Sequence, residues 1–316
     1  MNITALSDIP RVLICDPIAR SGVDKLLKAG FIVDFKPDLS TEKLLTIIPN
    51  YDAVIVRSRT KITKKVIDCG IRLKFIGRAG IGLDNIDLKA AEKRGIKVVN
   101  TPEAPADSTA ELTIGLIISL LRKIPIADST MKKGLWLKAE LKGRLLKGKV
   151  LGLVGLGNVG LRVARIAKAF GMKILFTKRT PPKPRILQEL EAEFVSLEDL
   201  LKRSDIISLH VPLTDETRGM IGEREINVMK DGAVLINTSR GAIIDERALI
   251  KALKSGKLAG AALDVYEVEP PNNLTLIKMP NVICTPHIGA QTEEAQIEAS
   301  NTIAEKIIEH FIHNRS

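Results

Sequence analysis

From residue 11 onward, short runs of β-branched and aliphatic residues alternate with amphipathic stretches. The runs Arg11–Cys15, Phe31–Asp34, Ala53–Val56, Lys74–Gly77 and Ile96–Val99 predict strands. The stretches Ser21–Ala29, Ser40–Ile48, Thr63–Asp68 and Leu88–Arg94 predict the helices between them, with Gly30 and Gly95 as stops. Alternation of this kind predicts a parallel sheet covered by helices on both faces. Asn100–Asp107 (NTPEAPAD) reads as a linker. Ser108 and Glu111 have capping-box spacing, so a long apolar helix is expected to start there and fade near Arg122 and Pro125. A second alternating region opens at Lys147 and runs to about Pro286. Thr292–His313 predicts one last amphipathic helix, which has no sheet of its own and must dock on another part of the chain.

The second region opens with Val150–Val154, a buried-strand run leading into Gly155-Leu-Gly157-Asn-Val-Gly160. A helical segment, Leu161–Phe170, and a strand, Lys173–Phe176, follow. Gly-x-Gly-x-x-Gly between a strand and a helix is the context that a dinucleotide site requires. Gly155 permits the tight turn, Gly157 lets a pyrophosphate approach the backbone, and Gly160 lets helix and strand pack closely. The N–H groups at the helix start then face the phosphates. An NAD site usually carries Asp or Glu about 20 residues further on. Near that position stand Lys178, Arg179 and Thr180, a cluster suited to a 2′-phosphate. NAD or NADP is therefore the expected cofactor, and preference between them stays open.

Three more strand ends carry chemistry. Val234–Thr238 leads into Ser239-Arg240-Gly241, Gly260–Leu263 into Asp264 with Glu269 shortly after, and Val282–Cys284 into Thr285-Pro286-His287. Ligands of open α/β sheets bind beyond the carboxyl ends of strands. Arg240 can grip a carboxylate in a bidentate fork, and His287 can exchange a hydroxyl proton. Glu269 would fix the imidazole tautomer and favour its charged form. That set suits oxidation of a small 2-hydroxy acid, or reduction of the 2-oxo acid, without a metal.

Composition narrows the field. The 316 residues allow about two domains, and aromatics at 3% leave aliphatic side chains to fill the cores. The net charge of +11 is spread along the chain with no nucleic-acid motif, so no nucleic-acid partner is expected. Leu112–Leu121 is the longest apolar run and is too short to span a bilayer, so no membrane partner is expected either. The N-terminal MNITALSDIPRVLI does not resemble a signal peptide. Cys15, Cys69 and Cys284 show no CxxC spacing, which fits a reducing cytoplasm. His310 and His313, one helical turn apart, could hold a metal, but the expectation is a solvated tail and no metal site.

The motifs GLGNVG, NTSRGAIIDE, GAALDVYEVEPP and TPHIGA, in this order, resemble those of the D-isomer-specific 2-hydroxy acid dehydrogenases over nearly the whole chain. The resemblance implies two doubly wound parallel-sheet α/β domains. A Rossmann dinucleotide-binding domain would take residues 100–287. A discontinuous flavodoxin-like substrate domain would take 1–99 and 288–316, with the final helix packed on the first hundred residues and substrate held in a crevice between the domains. It implies catalytic roles for Arg240, Glu269 and His287. Its cofactor contacts would fall on Asn158, Val159, Thr238, Asp264 and the loop from His287 through Gly289 to Ala290, and the strand-end residues His210, Val211, Pro212 and Ser239 are further cofactor-binding candidates. It further implies a homodimer joined through the dinucleotide-binding domain, with the helix Thr109–Leu121 and the arm around Trp136 at the interface.

Within the family, Val56-Arg57-Ser58-Arg59-Thr60-Lys61 and Gly77-Arg78-Ala-Gly80-Ile-Gly82-Leu-Asp-Asn85 are similar to the D-3-phosphoglycerate-oxidising branch. By that similarity Arg57, Ser58 and Arg78, with backbone N–H groups near Gly80 and Gly82, meet the substrate. Lys178 departs from that branch, where an acid is usual, and FTKRT is similar to the NADP-using hydroxypyruvate and glyoxylate reductases. The chain stops soon after His313, so a serine-binding regulatory domain is not expected. A dinucleotide-sensing interaction protein, like the family's corepressor branch, is a third reading.

Overall fold

The computed structural model describes residues 9–180, 184–272 and 274–312. The extreme N-terminus and His313 therefore lie outside the described residues, including the expectation of a His310–His313 pair. The chain separates into two compact units, one formed by the residues up to Pro105 and from Ala290 onward, the other by Ala106–Gly289.

In the first unit, β1 (Arg11–Ile14), α1 (Arg20–Lys28), β2 (Ile32–Phe35), α2 (Thr41–Ile47), β3 (Ala53–Val56), α3 (Lys64–Cys69), β4 (Phe75–Arg78), α4 (Leu88–Lys93) and β5 (Lys97–Asn100) follow in order. The five strands pair in parallel in the order β2-β1-β3-β4-β5. The strand order reverses between β1 and β3, so the crevice of this sheet opens at their carboxyl ends. Leu13, Val54, Val56 and Ile76 face a core shared with α2–α4, and Val12, Ile14, Ile55 and Phe75 face the other. The C-terminal helix Glu293–Ile312 belongs to this unit and closes that second face with Ala299, Ile303 and Ile307.

In the second unit, α5 (Ala106–Leu121) and α6 (Ile124–Met131) precede β6 (Val150–Val154), α7 (Asn158–Ala169), β7 (Lys173–Thr177), α8 (Pro184–Leu190) and β8 (Glu193–Phe194). Then come α9 (Leu197–Arg203), β9 (Ile206–Leu209), α10 (Glu223–Val228), β10 (Ala233–Asn237), α11 (Glu246–Ser255), β11 (Leu258–Leu263) and β12 (Val282–Cys284). The strand order is β12-β11-β10-β9-β6-β7-β8, all parallel, with the reversal between β6 and β9. Both units are thus doubly wound parallel α/β sheets. Aliphatic residues fill their interiors, and among the described residues Phe75 and Phe176 are the only aromatic rings among the largest fully buried side chains.

Two expectations move. The helix expected from Ser108 begins at Ala106, because Ser108 is not its cap. The hydroxyl donates instead to Gly289 O at 2.7 Å. The unit boundaries also fall at Pro105 and Gly289 rather than 99 and 287. Thr101 ties the linker to the first sheet, its N–H reaching Gly80 O and its hydroxyl accepting from Gly80 N at 2.7 Å. Gly289 is tied into the second unit by the bonds described below.

Candidate active site

The Gly155–Gly160 loop joins β6 to α7 at the reversal point of the second sheet. Gly155 has φ +102, and a Cβ there would lie 2.6 Å from His210 O. A Cβ on Gly160 would run into Gly155 O. These contacts are with backbone, so neither position accommodates a side chain. Gly157, by contrast, faces open space and is the N-cap of α7, with no side-chain cap and no acid in the first turn. A cradle closed below, open above, and lined by the first N–H groups of a 12-residue helix fits a dinucleotide pyrophosphate. Asn158 and Val159 lie in that first turn.

The neighbouring strand ends flank this cradle. Lys178, Arg179 and Thr180 follow β7 on one side, where Arg179 reaches Glu216 at 3.8 Å. His210, Val211 and Pro212 follow β9 on the other. The His210 imidazole shares a hydrogen bond with Ser208 Oγ at 2.9 Å, and burial pushes its pKa down to about 4. It is therefore neutral, which suits a residue lining the cradle and not one exchanging protons near neutrality. Thr238 is buried, with Oγ1 2.9 Å from Thr113 Oγ1. Ser239 N–H and Oγ both donate to Asn237 Oδ1, and Asn237 Nδ2 donates to Arg240 O at 2.8 Å. This short web fixes the backbone that carries Arg240.

His287 and Glu269 meet directly, with Nδ1 2.7 Å from Oε2. Burial raises the Glu269 pKa, but the His287 hydrogen bond and charge, the Tyr266 N–H and the Arg240 charge outweigh it, leaving the carboxyl below its ordinary range. Glu269 is thus an anion, and Arg240 is near enough to act on it. With Nδ1 engaged, Nε2 is the ring nitrogen left to exchange a proton.

His287 stands at φ +55, a left-handed conformation that costs a non-glycine residue energy. The following peptides are held tightly. The fully buried Asp264 carboxylate accepts from Ile288 N and Gly289 N, each at 2.8 Å, and from Thr285 Oγ1 at 2.6 Å. Gly289 O accepts from Ser108 Oγ at 2.7 Å and Thr109 Oγ1 at 3.0 Å. Asp264 thereby acts as a brace for the His287 loop. Sequence pattern does not reveal this use of Ser108 and Thr109, because partners some 180 positions away leave no local signal. Ala290 begins the last segment of the first unit.

In the first unit, Arg57 and Ser58 follow β3, while Arg78 ends β4. The Arg57 side chain is half-buried, and desolvation lowers its pKa against the opposing charge of Asp16. The Arg78 guanidinium folds back over Gly80, so that a Cβ on Gly80 would fall on Nη1, and Nη1 donates to Ala79 O at 3.2 Å. Gly80 has φ +141, a backbone conformation that side chains of other residues rarely adopt, and this is what requires glycine there. Gly82 lies in the following turn. Among the described residues no cluster of three metal-ligating side chains occurs, and no helix is long and apolar enough to cross a membrane. His310 packs on the Phe75 and Phe311 rings.

Two doubly wound sheets, one with a dinucleotide cradle beside an Arg–Glu–His set, define a nicotinamide-dependent oxidoreductase architecture. Residues 114–289 match the D-isomer specific 2-hydroxyacid dehydrogenase, NAD binding domain. A hydroxypyruvate reductase of Thermotoga maritima is 47% identical over 304 residues, covering 95% of this chain and 98% of that protein. A D-3-phosphoglycerate dehydrogenase of Archaeoglobus fulgidus is 45% identical over 299 residues, covering 94% of this chain. The chain spans only 56% of that longer relative. The solved structure of a glyoxylate reductase from Paecilomyes thermophila superposes with a TM-score of 0.90 at 34% identity, covering 97% of this chain and 96% of that one. The chain belongs to the D-isomer-specific 2-hydroxyacid dehydrogenases.

Proposed function

We propose that the chain oxidises D-3-phosphoglycerate to 3-phosphohydroxypyruvate, the step that opens serine synthesis, with NAD or NADP as cofactor. The observation that carries this reading is the pair of cations at the first sheet's carboxyl ends, Arg57 and Arg78. A substrate with a phosphate as well as a carboxylate needs more positive charge than Arg240 alone supplies.

In this mechanism Arg240 holds the substrate carboxylate. Neutral His287 accepts the 2-hydroxyl proton at Nε2, and anionic Glu269 on Nδ1 stabilises the imidazolium that forms. In the reducing direction the imidazolium returns that proton to the carbonyl oxygen. The nicotinamide ring, when bound, supplies the acceptor or donor of the hydride. The Gly155–Gly160 loop would hold the dinucleotide pyrophosphate, with Thr238, Asp264 and the loop through Gly289 as its further contacts. Arg57, Ser58 and Arg78 receive the substrate's anionic end; the Gly80 N–H is held by Thr101, so backbone donation to the carboxylate falls to the turn through Gly82.

A second reading, an NADP-linked hydroxypyruvate or glyoxylate reductase, is favoured by Lys178 and Arg179 at the end of β7. A 2′-phosphate would find cations there instead of the carboxylate that repels it. Similarity to the Thermotoga relative along almost its full length supports the same reading. We read the assembly as a homodimer joined through the dinucleotide-binding unit, and the three free cysteines as reduced thiols of a cytoplasmic protein.

Initial rates decide between the readings: D-3-phosphoglycerate with NAD⁺ or NADP⁺ against hydroxypyruvate or glyoxylate with NADH or NADPH. Dominant phosphoglycerate oxidation upholds the first. Dominant NADPH-linked reduction replaces it with the second, and tight dinucleotide binding without turnover replaces both with a dinucleotide-sensing protein.

A further inference from the structure

The loop after β3 is held by side chains from both neighbouring strand ends. Asp16 follows β1, and its side chain is 2% exposed. Its carboxylate accepts from Arg57 N at 2.5 Å, Thr60 N at 3.3 Å, Thr60 Oγ1 at 2.8 Å and Arg59 Nε at 3.2 Å. From the turn after β4, Asn85 Nδ2 donates to Arg57 O at 2.8 Å and Thr60 O at 2.6 Å. The N–H and C=O of both Arg57 and Thr60 are therefore engaged by two side chains from elsewhere in the unit. A surface connection ordinarily leaves such groups to water. Burying a carboxylate to hold them is costly unless it is well bonded, so the fixed conformation is a built feature of this strand end.

The two arginines of the loop divide the work. The Arg59 guanidinium is engaged by Asp16, by Asp38 at 3.1 Å and by Cys15 O at 3.2 Å. It closes the cage. The Arg57 guanidinium, two residues earlier and half-buried, carries no such side-chain bond among the described residues. Of the two guanidinium groups it is the one that no carboxylate hydrogen-bonds among the described residues. We infer that Asp16 is a positioning residue for recognition of the substrate's anionic end, acting by fixing the Arg57–Thr60 loop so that Arg57 is aimed and Arg59 is kept out of the site. This rests on the reading that Arg57 meets substrate. Neither motif nor composition points to Asp16, which looks in sequence like an ordinary turn residue after a strand.

The test is a double-mutant cycle of Asp16→Asn and Arg57→Ala, with Thr60→Val as a milder probe that removes one bond to Asp16. KM and kcat are measured on whichever of D-3-phosphoglycerate and hydroxypyruvate is turned over faster, alongside NADH affinity and the thermal midpoint. Asp16→Asn is expected to raise substrate KM about tenfold with kcat within about twofold, the signature of lost substrate binding, and with NADH affinity unchanged. In the Arg57→Ala background it should add less than about twofold, because the two residues act as one unit. Thr60→Val should shift KM in the same direction by less, and it carries the test if Asp16→Asn does not fold. Equal effects of Asp16→Asn with and without Arg57, or an unchanged KM, would overturn the inference while leaving the proposed function standing. An unchanged KM in Arg57→Ala would overturn the assignment of Arg57 to substrate, and this inference with it.

Discussion

In the proposed mechanism His287 accepts and returns a proton while its backbone sits at φ +55. Its neighbours answer both demands separately: Glu269 orients the ring, and Asp264 with Ser108 and Thr109 holds the next two peptides. His287→Ala should lower kcat by about 10²- to 10⁴-fold, the usual worth of a positioned acid–base group. NADH affinity, read by fluorescence titration, should stay the same, since the cradle around Gly157 is untouched. Near-normal turnover in that variant would mean the proton goes elsewhere. At this scale the sequence is informative where a residue type and its strand-end position coincide, as for Arg240, Glu269 and His287. It is silent where a residue serves a distant partner. Ser108 has the spacing of a helix cap and is something else, and Asp16 carries no local signal at all.

Helices and strands are legible because their period is local. Apolar alternation places all the strands of the first unit within a residue or so, and glycine stops fix the helix ends. Which face each element buries is less legible, and the glycines show why. Gly22 of α1 meets the C-terminal helix so closely that a Cβ would lie 2.6 Å from Ser300 O. That neighbour is backbone and cannot turn aside, and Ala19 N also donates to Ser300 Oγ at 2.9 Å across the same junction. Gly77 meets a side chain instead, Ile303 Cγ1 at 2.7 Å and Cδ1 at 3.0 Å, which can give by a small shift where backbone cannot. Gly22→Ala should therefore destabilise the protein by about 2–3 kcal/mol, and Gly77→Ala by clearly less, within the range typical of overpacking. Urea midpoints of the two variants check this, and the reverse order would mean that the helices part more easily than their packing suggests.

On the scale of the whole molecule, exposed apolar side chains recur along one segment, residues 131–145. Trp136 is 75% exposed, and Met131, Leu135 and Leu145 around it in the chain are exposed as well. These exposed apolar side chains lie in the arm that the proposed homodimer would bury. If the arm joins two copies, Trp136→Glu should convert a dimer of about twice the chain mass into a monomer in sedimentation velocity, by placing charges at a self-complementary interface. A dimer that survives this change would place the interface elsewhere.

The sequence by itself determined the class of fold, the dinucleotide cradle and the Arg–Glu–His set. Each is written in short-range pattern: strand period, glycine spacing, and one functional side chain just past a strand end. Tertiary structure decided what depends on chain segments far apart in order. It set where the units divide, because Thr101 and Gly289 are bonded into opposite units. It gave Gly80 its reason, since the turn after β4 holds its backbone at φ +141. It separated Arg57 from Arg59, which are alike in sequence and differ only in which carboxylates the fold brings to them. Local pattern fixes which elements form. Hydrogen bonds between distant strand ends fix which side chains remain available for chemistry.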